Sequence, residues 1–193
     1  MIGAAKQVVK EYKSSRNPFI KLSIATLSFC WYSVKNIKRF FVDTEFRSIL
    51  LLQVFSSKNV HQTTPLTYMD RYPEIFSACR DYFGDKKDLK ILSFGCSTGE
   101  EVLTLRSYFP NAYIIGADIN KRSLAIYRKL PVDNKITFIH SSSSEIQKHG
   151  PFDAVFCMAV LQRKPHYIAA KGISSIKKIY PFEKFEKQII ELN

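Results

Sequence analysis

Gly95, Cys96, Ser97, Thr98, Gly99, Glu100 and Glu101 follow one another directly after the apolar run Ile91, Leu92 and Phe94. Two glycines four positions apart permit a tight turn and a close ligand approach that a side chain would obstruct. Ser97 or Thr98 can cap a helix that starts there, with the two glutamates at its positive end. The residue order restricts the ligand. A dinucleotide fingerprint needs G-x-G-x-x-G, and counted from Gly95 its second and third glycine places hold Ser97 and Glu100. No Gly-Lys-Ser/Thr is present for a triphosphate loop. Two carboxylates repel a pyrophosphate and favour a ligand that carries positive charge. Asp118 closes a second apolar run, Tyr113 to Ala117. It lies roughly 20 residues after Gly99, the offset at which an acid meets a ribose diol.

An adenosine ligand with a cation and no phosphate suggests S-adenosylmethionine. Ile91 to Val102, together with Ile115 to Asn120, resembles the first two motifs of class I S-adenosylmethionine-dependent methyltransferases. The Gly-Cys-Ser-Thr-Gly-Glu-Glu run is similar to that of chemotaxis-receptor methyltransferases. Phe152 to Leu161 resembles the fourth-strand motif of the same families. The resemblance covers residues 65–162 and implies a Rossmann-like open parallel sheet of order 3-2-1-4. It also implies a cofactor-binding set: Gly95, Cys96, Ser97 and Gly99 in the turn, Asp118 and Ile119 at the ribose, and Ser142 beside the adenine. Met158 would line the adenosyl pocket, and Arg71 would reach the methionyl carboxylate. Ser141 and Ser142 stand where relatives often place an acid, and Ser93 replaces an acid common in the class. Met158-Ala159 replaces the Arg-Asn pair of the chemotaxis-receptor enzymes, which argues against receptor methylation. The implied activity is methyl transfer to an unidentified acceptor. Alignment and electrostatic environment carry such a displacement, and the sequence singles out no catalytic base and no metal site.

Two rival readings use the same residues. Gly95-Cys-Ser97-Thr-Gly99 also fits G-x-S-x-G, a nucleophile elbow. Asp118 or Asp153, then His166, would complete a serine hydrolase. Alternatively the domain is non-catalytic and binds a cofactor or a partner.

The elements that must position these residues alternate between strand and helix, as in a parallel sheet with right-handed crossovers. Strands are expected at residues 90–94, 113–117, 136–139 and 154–158. Helices are expected from Pro73 to Phe83, with Ile75, Phe76, Cys79 and Phe83 inward, and at 99–109, 121–129 and 182–192. Asn120 is the expected N-cap of the third of these, and Ser142 with Glu145 fits a capping box. The resembled fold has seven strands and four are visible, so the reading is a shortened form or an incomplete sequence. The sheet would then be open at the fourth strand, unless a terminal segment covers it.

The 193 residues suffice for one medium α/β domain and an accessory segment. Charge divides them: residues 1–60 carry ten Lys or Arg and three acids, residues 61–162 twelve and eleven, and residues 163–193 seven and three. Residues 1–60 therefore read as a basic helical N-terminal extension and 61–193 as a partial methyltransferase domain. Residues 5–55 read as two or three amphipathic helices that cover the sheet or form a cap, with a membrane-surface helix as the alternative. Pro18 punctuates the start. The uninterrupted apolar stretch Leu22 to Val34 is shorter than the roughly 20 residues that span a bilayer, and it lacks a convincing cleavage site. The basic flanks could contact an acidic partner or a membrane surface, and no specific nucleic-acid motif is present. Cys30, Cys79, Cys96 and Cys157 lie far apart, which fits reduced thiols and a cytoplasmic location.

Overall fold

The computed structural model describes residues 17–63 and 67–192, apart from the side chain of Lys21. Residues 5–16 of the expected helical extension lie outside the described residues. The chain divides into two compact units between Arg47 and Ser48. The first contains helix α1 (Pro18–Val42) and the start of α2 (Thr44–Phe55). Pro18 is the first residue of α1 rather than a break in the chain, because its missing N–H costs nothing in the first turn. Asn17 Oδ1 accepts the Phe19 amide at 3.0 Å. Asp43 ends α1 and accepts the Phe46 amide at 2.9 Å, so one carboxylate separates two helices. Arg39 Nε donates to its other oxygen at 3.0 Å. Among the described residues, no helix is long and apolar enough to cross a membrane.

The second unit holds a four-stranded parallel sheet of order β3-β2-β1-β4. Its strands are β1 (Lys90–Phe94), β2 (Tyr113–Asp118), β3 (Ile136–His140) and β4 (Ala154–Phe156). β4 is shorter than expected: after Phe156 the chain leaves the ladder and reaches a left-handed Ala159 (φ 58°). Helices α3 (Pro73–Phe83), α4 (Glu100–Tyr108), α5 (Lys121–Tyr127), α6 (Ser143–His149), α7 (Pro165–Ala170) and α8 (Phe182–Leu192) complete it. The short α7 has no counterpart among the expected elements.

Side chains alternate across a strand, so both faces of a parallel sheet must be covered. Ile91 and Ile114 point into one core with Phe76, Val102, Leu105, Phe109, Tyr127 and Phe156. Leu92, Phe94, Ile115 and Ala117 point into the other with Ile139 and Ile146, and Leu192 of α8 packs against it. On α3 only Phe76 is fully buried, while Cys79 and Phe83 pack partly. Ile75, expected inward, is 46% exposed, because it sits one position around the helix from Phe76. Gly84 ends α3 with φ 52°, the left-handed geometry that favours glycine.

Candidate functional site

The carboxyl ends of β1 and β2 open onto a cleft, the usual ligand position of an open α/β sheet. Gly95 begins the turn after β1 with φ 74°, and its amide donates to the Ala117 carbonyl at 2.7 Å. A Cβ on Gly95 would lie 2.5 Å from the Val160 side chain, so glycine is needed for close packing as well as for its φ. Ser97 also has a positive φ (50°). Gly99 (φ 97°) is the residue that caps α4. Neither Ser97 nor Thr98 caps that helix as expected: the Thr98 hydroxyl donates to the Glu100 carboxylate at 2.8 Å.

Asp118 is the electrostatic centre of this turn. One carboxylate oxygen accepts the Ser97 amide at 2.9 Å and the other the Asn120 amide at 2.7 Å. Burial nevertheless pushes its carboxyl up to about 6, because two amides only partly replace the lost water. Asn120 caps α5 by accepting the Arg122 amide at 2.9 Å, and it takes the Ser48 hydroxyl on the same oxygen.

Glu101, the last residue of the glycine-turn motif, has partners that the motif does not reveal. It lines the cleft on the first turn of α4 and accepts the Ser93 hydroxyl at 2.6 Å. Burial pushes it up to about 7, opposed by Ser93 and by the charge of Arg71. Ser93, where the resembled methyltransferases commonly carry an acid, is met by the carboxylate of Glu101 from the first turn of α4. That relation needs the β1–α4 geometry and has no signal in spacing alone. Arg71 lines the cleft, with its guanidinium 5.1 Å from the centre of the Tyr72 ring and 5.6 Å from that of Tyr68. Its segment is fixed to α4 by the Asp70 amide, which donates to Thr104 Oγ1 at 2.9 Å, and by the Tyr108 hydroxyl, which donates to Asp70 at 3.0 Å.

Of the residues expected at the cofactor, Arg71, Gly95, Cys96, Ser97, Asp118, Ile119 and Met158 line one cleft. Gly99 and Ser142 do not. Gly99 faces Tyr127 and Leu130 instead, and Ser142 is the N-cap of α6 without a side-chain capping bond. The capping box with Glu145 is not formed: Glu145 pairs with Lys148, and Ser141 takes the cleft position. The Cys96 thiol is buried 3.1 Å from the Tyr127 hydroxyl, and burial raises its pKa well above the ordinary thiol range. A thiol so placed is inert. The Ser97 hydroxyl is buried and has no hydrogen-bond partner. A nucleophile elbow requires a base bonded to that oxygen. Among the described residues no histidine is bonded to that oxygen, and Asp153 pairs with Lys86 and the Lys90 amide, so the hydrolase arrangement is not assembled.

The far wall of the cleft has no counterpart in the sequence motifs. Ile49 and Leu52 of α2, Asn59, His61 and Gln62 after it, and Pro165 and His166 of α7 all line it. The segment after α2 is held from outside. Lys184 of α8 donates to the carbonyls of Ser57 at 2.8 Å and Val60 at 2.7 Å, and Arg163 reaches Val60 at 3.1 Å. Buried His61 bonds the Tyr180 hydroxyl through Nδ1 and Gln188 through Nε2 at 3.1 Å. Burial lowers its pKa, so the neutral ring is favoured.

Residues 91–179 match the methyltransferase-domain family. A curated relative, the uncharacterized protein RP028 of Rickettsia prowazekii, is 27% identical over 123 residues, which are 60% of this chain and 49% of that protein. The chain thus spans about half the length of that curated relative. The plantazolicin methyltransferase BpumL, solved with S-adenosylhomocysteine, is 19% identical over 62% of this chain and 44% of its own, with a TM-score of 0.37. A precorrin-6y C5,15-methyltransferase from Geobacter metallireducens is 18% identical over 46% of this chain and 51% of its own, with a TM-score of 0.35.

Proposed function

We propose that this cleft binds S-adenosylmethionine and that the protein transfers its methyl group to an acceptor not yet identified, a reading supported by the match of residues 91–179 to the methyltransferase-domain family. The single observation that carries the reading is Asp118. It is a buried carboxylate at the end of β2, fixed by two amides and raised to about 6. Each of its oxygens keeps a second lone pair for a ribose hydroxyl. The donor set fits the rest of the molecule. Glu101 offers a negative charge to an ammonium or sulfonium, Arg71 a positive one to a carboxylate, and the buried Ser97 hydroxyl a hydrogen bond. S-adenosylmethionine supplies the methyl carbon, already activated by the sulfonium. The protein's residues contribute position: the Gly95 turn and Asp118 fix the sugar end, and Glu101 and Arg71 orient the amino-acid end.

Isothermal titration with S-adenosylmethionine tests this. We expect binding in the parent, with affinity reduced at least about tenfold in Asp118→Ala, whose loss removes charge-assisted hydrogen bonds. Gly95→Val should bind no ligand, and its circular dichroism tells loss of site from loss of fold. A folded parent that gives no heat overturns the proposal.

A further inference from the structure

We propose that α1 is a membrane-surface helix that lies on anionic lipid. The helix has 25 residues, about 37 Å of length. Its sequence contains four Lys or Arg and no Asp or Glu. None of its described side chains is buried. Phe19, Leu22, Phe29, Val34, Ile37 and Phe41 are each more than half exposed. At 100° per residue, Phe19, Ile37, Phe41 and Val34 share one side of the helix, and Lys35 and Arg39 lie on the other with Lys38 at its border.

The hydroxyls on the apolar side do not interrupt it. Ser23 Oγ donates to the Phe19 carbonyl at 2.9 Å and Thr26 Oγ1 to the Leu22 carbonyl at 2.9 Å. Both of these hydroxyls are thereby satisfied within the helix, as a helix in an apolar medium requires. Trp31 lies one turn before Lys35, beside the cationic side, and is 70% exposed. An indole has an apolar body and one N–H donor, which suits the headgroup level of a bilayer.

Charge selects the occupant. Residues 1–42 carry eight Lys or Arg and one Glu, and within α1 there is no acid to offset them. Arg39 is engaged by Asp43, which leaves Lys35 and Lys38 as the main cations of the polar side. Two copies of α1 would bring lysines together without a carboxylate between them. Nucleic acid would match the charge and leave the phenylalanines in water. An anionic bilayer surface takes both: headgroups meet the lysines, and the apolar side enters the acyl boundary.

The protein contains one tryptophan, Trp31, so its emission reports on α1 alone. The full chain is mixed with vesicles of phosphatidylcholine, or of phosphatidylcholine with phosphatidylglycerol, and floated on a density gradient. We expect flotation and a blue shift of Trp31 emission with the anionic vesicles, both weakened by salt. Lys35→Glu/Lys38→Glu should weaken binding at least about tenfold. Ile37→Ser/Phe41→Ser should weaken it with the charges intact, and circular dichroism checks both variants for helix. No flotation overturns the proposal, as does equal binding to neutral vesicles or an unaffected Lys35→Glu/Lys38→Glu variant. Two further results overturn it in favour of other occupants: a dimer whose Trp31 emission is blue-shifted without vesicles, or duplex DNA that displaces the vesicles.

Discussion

Glu101 and Asp118 line the same cleft, and burial makes each costly to ionise. Their carboxyls rise from ordinary values of 4.5 and 3.8 to about 7 and about 6. A raised folded-state pKa means the folded chain holds the proton more tightly than the unfolded one. The resulting stabilisation is complete below about pH 4 and is lost as pH rises through 6 and 7. Glu101→Gln keeps the neutral shape at every pH. The melting temperature of the variant should therefore match the parent near pH 4 and exceed it near pH 8, by the equivalent of about 1–3 kcal/mol. The same change should weaken S-adenosylmethionine binding at pH 8, because the carboxylate opposite the ligand cation is gone. A uniform offset in melting temperature at all pH values would contradict the assignment. Asp118 is legible in the sequence, since its offset from Gly99 and its place after an apolar run are both sequence properties. The charge of Glu101 is legible too, as one of two carboxylates at the turn, but its partners are not: Ser93 neighbours it in the fold and Arg71 lies thirty residues upstream.

The β1–turn–α4 element concentrates its constraints on two glycines with different duties. Gly95 lies under Val160, and Gly99 lies under Tyr127 and Leu130, where a Cβ would sit 3.1–3.3 Å from those side chains. Gly99 also has φ 97°, so any other residue there is strained. Gly99→Ala should lower the unfolding free energy by about 1–3 kcal/mol in urea denaturation. It should also weaken the cofactor indirectly by shifting α4 and with it Glu101. Strand and helix order is legible because apolar runs alternate with polar, capped segments. The Asn120 cap and the Pro73 start have local chemistry that decides them. Two features escape such reading. The capping box at Ser142 is spelled correctly, but Glu145 has a better partner in Lys148 three residues on. The cleft wall from α2 and α7 carries no motif, since Ile49, Leu52 and Pro165 reach the site only through tertiary packing.

At the scale of the molecule, the sheet separates two cores. Phe76 joins α3 to the larger one, with its ring 5.5 Å from Phe156 and 5.6 Å from Tyr108. Phe76→Ala should cost about 3–5 kcal/mol by the cavity it leaves. Cooperative loss of both near-ultraviolet dichroism and cofactor binding is the expected readout. The compact unit starts at Ser48, whereas the charge count alone draws a line near residue 60. Charge marks where a sequence is solvated, and residues 48–60, with Lys58 as their one charged residue, are built into the cleft wall. The Lys184 ammonium, shared between the Ser57 and Val60 carbonyls, gives that wall a dependence on the last helix. A chain severed just before Phe182 would retain the glycine turn, Asp118 and Arg71. It would nonetheless lose the Lys184 strut under residues 57–60, leaving Arg163 at Val60 and Tyr180 at His61 to hold the segment, so we expect faster ligand release from a site whose ligand-touching residues are all intact.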